Sequence, residues 1–227
     1  TVDGGSFTMG NGELSSISAS SAYCGAVYVK NGGTFAMNGG KITGCMFKNQ
    51  YSGAVALADG TMTMTDGTIS GNTASEYNAA GGVLVNGTSS LAMSGGTIEN
   101  NTAKRGGGVC VREKGTFTMS GGSITGNQAG GKGGGVGIES NATFTMTGGS
   151  ITNNTATQNG GGVYVDTDEN RSFTLNSGSI TDNKATQDGG GVYVNSTSKF
   201  NMSDASITGN SAGENGGGVY VGGTISV

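Results

Sequence analysis

Apolar and polar positions alternate along this chain in short bursts, and the bursts recur. The string Gly-Gly-Gly-Val-Tyr-Val stands at 160–165, 189–194 and 216–221, with looser copies earlier. Its first Val falls at Val27, Val55, Val83, Val109, Val136, Val163, Val192 and Val219, so successive copies lie 26 to 29 residues apart. A second burst, of Phe-Thr-Met type, gives the column Phe7, Phe35, Met62, Leu91, Phe117, Phe144, Phe173, Phe200 and Ile225. Two residues on runs Met9, Met37, Met64, Met93, Met119, Met146, Leu175, Met202 and Val227. Five further on come Leu14, Ile42, Ile69, Ile98, Ile124, Ile151, Ile180 and Ile207. Three after those stand Asn72, Asn101, Asn127, Asn154, Asn183 and Asn210, with Ile17 and Cys45 in the two earliest copies.

Period two within each burst predicts strands with one buried face. The three predicted strands per unit are Val-Tyr-Val, Phe-Thr-Met and Ser-Ile-Thr. The Phe and Asn columns lie ten residues apart in all eight copies, as Phe117 and Asn127 do. The segments between Asn and Val and between the second Val and Phe vary in length. One part of the unit is geometrically fixed and two corners accept insertions. The fold class that follows is all-β: a single-stranded parallel β-helix, a solenoid of about eight coils of ~27 residues with three short strands each. Residues 1–227 read as one such domain, expected as a segment of a longer solenoid or as a subunit whose open ends stack.

The residue just before the Asn column is Gly44, Gly71, Asn100, Gly126, Asn153, Asp182 or Gly209, the types that tolerate a left-handed corner. The Asn residues themselves predict an internal amide ladder, each side chain bonding to the next coil. Composition then fits. The 48 Gly would suggest a low-complexity tract, but they concentrate where the coil turns or a strand begins. The chain has no Pro, as strands bonded on both sides require.

The pairing of Gly-Gly-Ala/Gly-Val with Ile-x-x-Asn resembles the Gly-Gly-Ala-Ile and Phe-x-x-Asn motifs of the chlamydial polymorphic outer-membrane protein repeats. The matching segments include Gly25-Ala26-Val27, Gly53-Ala54-Val55, Gly107-Gly108-Val109 and Ile124-Thr125-Gly126-Asn127. Ile stands where that motif has Phe. More broadly the chain is similar to the pectate-lyase-like right-handed β-helix repeats of bacterial surface proteins. The resemblance implies display at the cell surface or outside the cell, and a role in adhesion.

Charge and chemistry narrow the function. With no His, the usual metal ligand and general base are both missing. A net charge of −4 with scattered Lys and Arg argues against nucleic acid, and no apolar run is long enough for membrane insertion. No cofactor is expected, and an enzyme is disfavoured. The best acidic cluster is Asp166, Asp168 and Glu169, with Arg171 beside it, a weak Ca²⁺ candidate that reads first as a solvated loop. After the Val-x-Val strands stand Arg112, Glu139, Asp166 and Asn195, expected to form a surface ladder of weak ion pairs. Cys24, Cys45 and Cys110 sit at unmatched positions, so neither disulfides nor a zinc site are expected.

Two surfaces remain as contact candidates. Tyr28, Tyr164, Tyr193 and Tyr220 should face outward as a stripe suited to sugar rings or a protein partner, or simply stack on one another. Thr61, Thr63 and Thr65, Thr116 and Thr118, and Thr143, Thr145 and Thr147 should form Thr-x-Thr rows, which resemble the arrays of ice-binding solenoids. The leading expectation is a non-enzymatic extracellular, adhesin-like or stalk module that meets a host or cell-surface glycan or protein. The rivals are a fibre subunit associating end to end, a polysaccharide-binding or polysaccharide-cleaving β-helix, and an ice-binding solenoid.

Overall fold

Every inward column needs the same neighbour above and below, and the chain supplies it by returning to the same register once per coil. The computed structural model describes residues 1–19, 23–76, 79–166, 172–222 and 224–226, the last three through the backbone only. Its strands are all paired in parallel and fall into three sheets of nine, eight and twelve strands. The Val sheet holds the Val-x-Val strands, with Val109 on Val83 and Val136 on Val109. The Phe sheet holds the Phe-Thr-Met strands, with Phe117 on Leu91 and Phe144 on Phe117.

The predicted Ser-Ile-Thr strand is the second half of the Phe sheet. In Thr143–Thr152 the two runs form one bent ten-residue strand. The bend falls at Gly149, whose φ is +86° and whose missing side chain leaves room for the Met119 Cε of the preceding coil. The third sheet lies elsewhere, on short strands, mostly of two residues, directly after the Asn column, such as Thr155–Ala156 and Lys184–Ala185. Ala74, Ala103, Ala129, Ala156 and Ala185 of this sheet are buried.

Inside the rod like stacks on like. Phe117, Phe144, Phe173 and Phe200 stack at centroid distances of 4.5, 4.9 and 5.2 Å. This matches the ~4.8 Å separation of neighbouring strands. The Phe, Met, Ile and Val columns make one continuous core. The Asn side chains close it at a corner. Asn127 Nδ2 donates to Asn154 Oδ1 at 3.0 Å and to the Ile98 carbonyl at 2.9 Å. Its Oδ1 accepts from Asn101 N–H at 2.9 Å and Asn101 Nδ2 at 3.0 Å. All four capacities of the amide are used. The same contacts link Asn72 through Asn210, and Cys45 N–H donates to Asn72 Oδ1 at 3.0 Å at the start of the column. The preceding residue turns the chain: Asn100, Asn153 and Asp182 have φ of 53°, 56° and 55°.

Candidate functional site

The middle residue of each Val-x-Val strand points away from the core, and along the rod this outward column reads Tyr28, Ala56, Leu84, Cys110, Gly137, Tyr164, Tyr193 and Tyr220. It is not a uniform exposed stripe. Leu84 and Cys110 are buried under Ala80, with Tyr51 packed against them. Tyr164, expected to be an exposed contact residue, is only 1% exposed. The corner between Asn and Val curls back over this face; Gly160 stands so close over Tyr164 that a Cβ there would lie 2.7 Å from the tyrosine Cβ. Tyr193 and Tyr220 remain half-buried and stack on Tyr164 in sequence, at 5.2 and 4.9 Å. Tyr28 lies apart, stacked at 6.1 Å on Tyr23, which in turn stacks on Tyr51 at 4.8 Å. Tyr23 and Tyr51 stand outside the repeated strings, so no period points to them.

The charged residues form a cluster around Tyr164. Arg112, Glu139 and Asp166 follow the Val strands of three consecutive coils. Arg105 reaches them from the third-sheet strand Thr102–Arg105, and Lys132 from Gln128–Lys132. Glu139 Oε1 accepts from Arg105 Nη1 at 2.7 Å, and Oε2 lies 3.1 Å from Arg112 Nε. The Arg112 contact is ionic and off the hydrogen-bond line, since Nε and Nη1 lack a hydrogen-bond partner. Arg105 also comes within 3.8 Å of Asp166. Tyr164 Oη donates to Asp166 at 2.8 Å and accepts from Lys132 Nζ at 2.8 Å. The expected ladder of weak surface pairs is therefore corrected: Glu139 is only 3% exposed and sits between two guanidinium groups. The covering corners, contributed by other parts of each coil, exclude the water that would have screened it.

Burial, then the neighbouring Asp166, raises the Tyr164 pKa well above the ordinary phenol value. Burial works against the Arg105 charge, but Glu139 and Asp166 outweigh it and the guanidinium pKa rises. Burial, then Glu139, pushes the Cys110 thiol far up. All three cysteines are free and buried. Of the Ca²⁺ candidates, Asp166 is committed to Tyr164 and Arg105, while Asp168 and Glu169 lie outside the described residues, as does Val227. Among the described residues no three His, Cys, Asp or Glu side chains are grouped to hold a metal.

On the Phe sheet Thr61, Ser90, Thr116 and Thr143 share one column, and Thr63, Ala92, Thr118 and Thr145 the next. Most of these Thr are exposed, with Thr143 and Thr145 half-buried; Thr65 and Thr147 lie at the bend. A second set of hydroxyls, missed because Ser rather than Thr stands first in each pair, bonds rung to rung: Thr152 to Thr125 at 3.1 Å and Ser150 to Ser123 at 3.3 Å.

Stacked parallel coils with one side chain of each kind per rung define a β-helix solenoid, and no helix among the described residues is long and apolar enough to cross a membrane. The family description "Right handed beta helix region" matches residues 25–184 and again 95–227. The chain belongs to this family, and its coil is right-handed. No curated protein and no solved structure matches it.

Proposed function

We propose that this chain is a non-enzymatic structural β-helix module of a bacterial surface or secreted protein, adhesin-like, that meets a glycan or protein partner along the half-buried Tyr193–Tyr220 stack. One observation carries the reading. The side chains best equipped for chemistry are bound to one another, with Glu139 held by Arg105 and Arg112 and Asp166 by Tyr164, while the tyrosine stack beside them stays partly open. Aromatic rings on a rigid strand offer contact area at little entropic cost. The test is a glycan and extracellular-protein binding screen run beside a depolymerisation assay on acidic polysaccharides. Binding that falls at least about tenfold in Y193A and Y220A, with no turnover, supports the proposal. Turnover abolished in D166N overturns it in favour of the polysaccharide-cleaving reading.

A second reading, ice binding, is favoured by the exposed Thr columns in register over Thr61–Ser70, Ser90–Met93 and Thr116–Met119. It predicts thermal hysteresis that is lost in T118K.

A further inference from the structure

An aspartate followed by glycine is a chemically weak point of any chain. The glycine has no side chain to shield its N–H, and that nitrogen can close a five-membered imide ring on the aspartate's own carboxyl carbon. Four such pairs occur, Asp3-Gly4, Asp59-Gly60, Asp66-Gly67 and Asp188-Gly189, and all lie among the described residues. Ring closure needs two things at once: a carboxyl group that no other group holds, and a glycine nitrogen turned toward it.

Three of the four pairs are disarmed by the next coil. Gly4 N–H donates to the Lys30 carbonyl at 3.1 Å, while Asp3 is held by Lys30 Nζ at 2.9 Å and Asn31 Nδ2 at 2.8 Å. Gly60 N–H donates to Ser89 Oγ at 3.1 Å, and Asp59 Oδ1 accepts from Thr88 N–H at 2.8 Å and Thr88 Oγ1 at 2.9 Å. Gly189 N–H donates to the Asn215 carbonyl at 2.9 Å, and Asp188 Oδ1 accepts from Asn215 N–H and Nδ2, both at 2.9 Å. In each pair the nitrogen and the carboxylate are both engaged elsewhere.

Asp66-Gly67 is built differently. Gly67 N–H donates to the Oδ1 of Asp66 itself, at 2.7 Å, and among the described residues the carboxylate takes no hydrogen bond from another coil. Asp66 is exposed. The pair sits at the bend of strand Thr61–Ser70, where Gly67 is the counterpart of Gly149 and has a φ of +98°. The bend is tightly held. A Cβ on Gly67 would lie 2.8 Å from the Gly39 carbonyl and 2.8 Å from the Met37 Cε of the preceding coil. Packing of the coils thus keeps the nitrogen and the carboxyl group together, and such alignment of reacting groups speeds an intramolecular step.

We propose that Asp66 is a self-modification site, at which the folded chain converts aspartate to isoaspartate. The Gly67 nitrogen gives up its proton and bonds to Asp66 Cγ, one carboxyl oxygen leaves as water, and a succinimide results. Water then adds to either imide carbonyl. Cleavage at Cγ restores aspartate; cleavage at the main-chain carbonyl leaves the chain running through Cγ as isoaspartate. One water leaves and one enters, so the mass is unchanged and no other reactant is needed. The product lengthens the main chain by one methylene, within a strand paired in parallel with Thr34–Thr43 of the preceding coil.

The test is prolonged incubation of the folded and the urea-unfolded chain in neutral buffer. Electron-transfer fragmentation then separates isoaspartyl from aspartyl residues and places each in the sequence. Asp66 should convert at least as fast folded as unfolded. Asp3, Asp59 and Asp188 should slow by about tenfold or more on folding, since their bonds to the next coil must break first. Products of the Asn-Gly pairs are told apart by the mass they gain as ammonia is exchanged for water. Asp66→Glu, whose longer side chain would have to close a six-membered ring, should lose the fast-forming isoaspartate of the folded chain. Protection of Asp66 on folding to the same degree as the other three, faster conversion at any of those three in the folded chain, or an undiminished signal in Asp66→Glu would overturn the proposal.

Discussion

Replacing Asn127 with Ala should be among the most damaging single changes the rod can suffer. The substitution deletes four hydrogen bonds at once: two donated, to Ile98 O and Asn154 Oδ1, and two accepted, from Asn101 N–H and Asn101 Nδ2. The partners do not suffer equally. Asn101 Nδ2 keeps its bond to Ile69 O, and Asn154 Oδ1 keeps the one from Asn127 N–H. Asn101 N–H and Ile98 O lose the side-chain partner described for them, on a residue that is wholly buried. A buried polar group stripped of its partner costs about 1–3 kcal/mol, and each of the two partly stripped groups about 1 kcal/mol. The expected loss is therefore about 4–8 kcal/mol, large against the ~5–15 kcal/mol that stabilises a typical domain. Asn127→Asp should do no better, because a carboxylate fits the space but cannot donate to Ile98 O or Asn154. Asn210→Ala, at the end of the ladder and only partly buried, should cost clearly less than Asn127→Ala. Exposed Asn176→Ala should fall within about 0.5 kcal/mol of the parent. Urea unfolding followed by circular dichroism measures all four. If Asn127→Ala lies within about 1 kcal/mol of Asn176→Ala, the ladder does not carry the corner and the reasoning fails.

Three further outcomes follow from the packing. Gly161→Ala should destabilise by about 2–4 kcal/mol in the same assay, since its methyl would strike the Gly190 carbonyl and the Lys184 backbone of the next coil. Glu139→Gln should cost about 3–5 kcal/mol, because Arg112 would lose the carboxylate held against it and Arg105 its nearest one; a neutral result would show that water reaches them. The Tyr164 pKa is raised in the folded state, by burial and then by Asp166, so folding holds that proton more tightly than the unfolded chain does. Its contribution is complete below the ordinary phenol pKa of ~10 and is lost as pH climbs above it. Burial raises Tyr23, Tyr28 and Tyr193 as well, so phenolate absorbance should show fewer tyrosines titrating near pH ~10 in the parent than in the urea-unfolded chain, and that deficit should shrink by one in Y164F.

The parts of the fold legible in the sequence are those that every coil must solve in the same way. A narrow core admits one side chain per rung at each position, so Phe117, Met119, Ile124 and Asn127 leave a trace that repeats at a fixed spacing. The left-handed corner leaves one too, because few residues accept the φ seen at Asn100 and Asp182. The third sheet was not legible. Most of its strands contribute a single inward Ala, a residue too common to mark anything, while the Ser-Ile-Thr run lies in the Phe sheet, as a strand of its own at Ser123–Thr125 and joined across the bend at Gly149 in Thr143–Thr152. The candidate site was legible only as a set of positions. That Tyr164 and Glu139 lie outside the core follows from alternation, but their burial depends on corners of differing length folding back over them, and irregular corners carry no period. A register slip in the third sheet, where Ala103 pairs with Ala129 but Arg105 with Lys132, likewise appears in the sequence only as a missing Thr and a misplaced Lys.

The asparagine ladder has one more property. Backbone bonds between parallel strands point alternately up and down the rod and largely cancel. The side-chain amides do not alternate. From Asn72 to Asn183 each presents its N–H to the following coil and its carbonyl to the preceding one. Aligned amides add as they do in an α-helix, where peptide dipoles of ~3.5 D sum along the axis. A rod built from near-identical coils, and symmetric in almost every other respect, therefore acquires an electrical direction. Its C-terminal side is the positive end, and an approaching partner can tell one end from the other without reading a single exposed side chain.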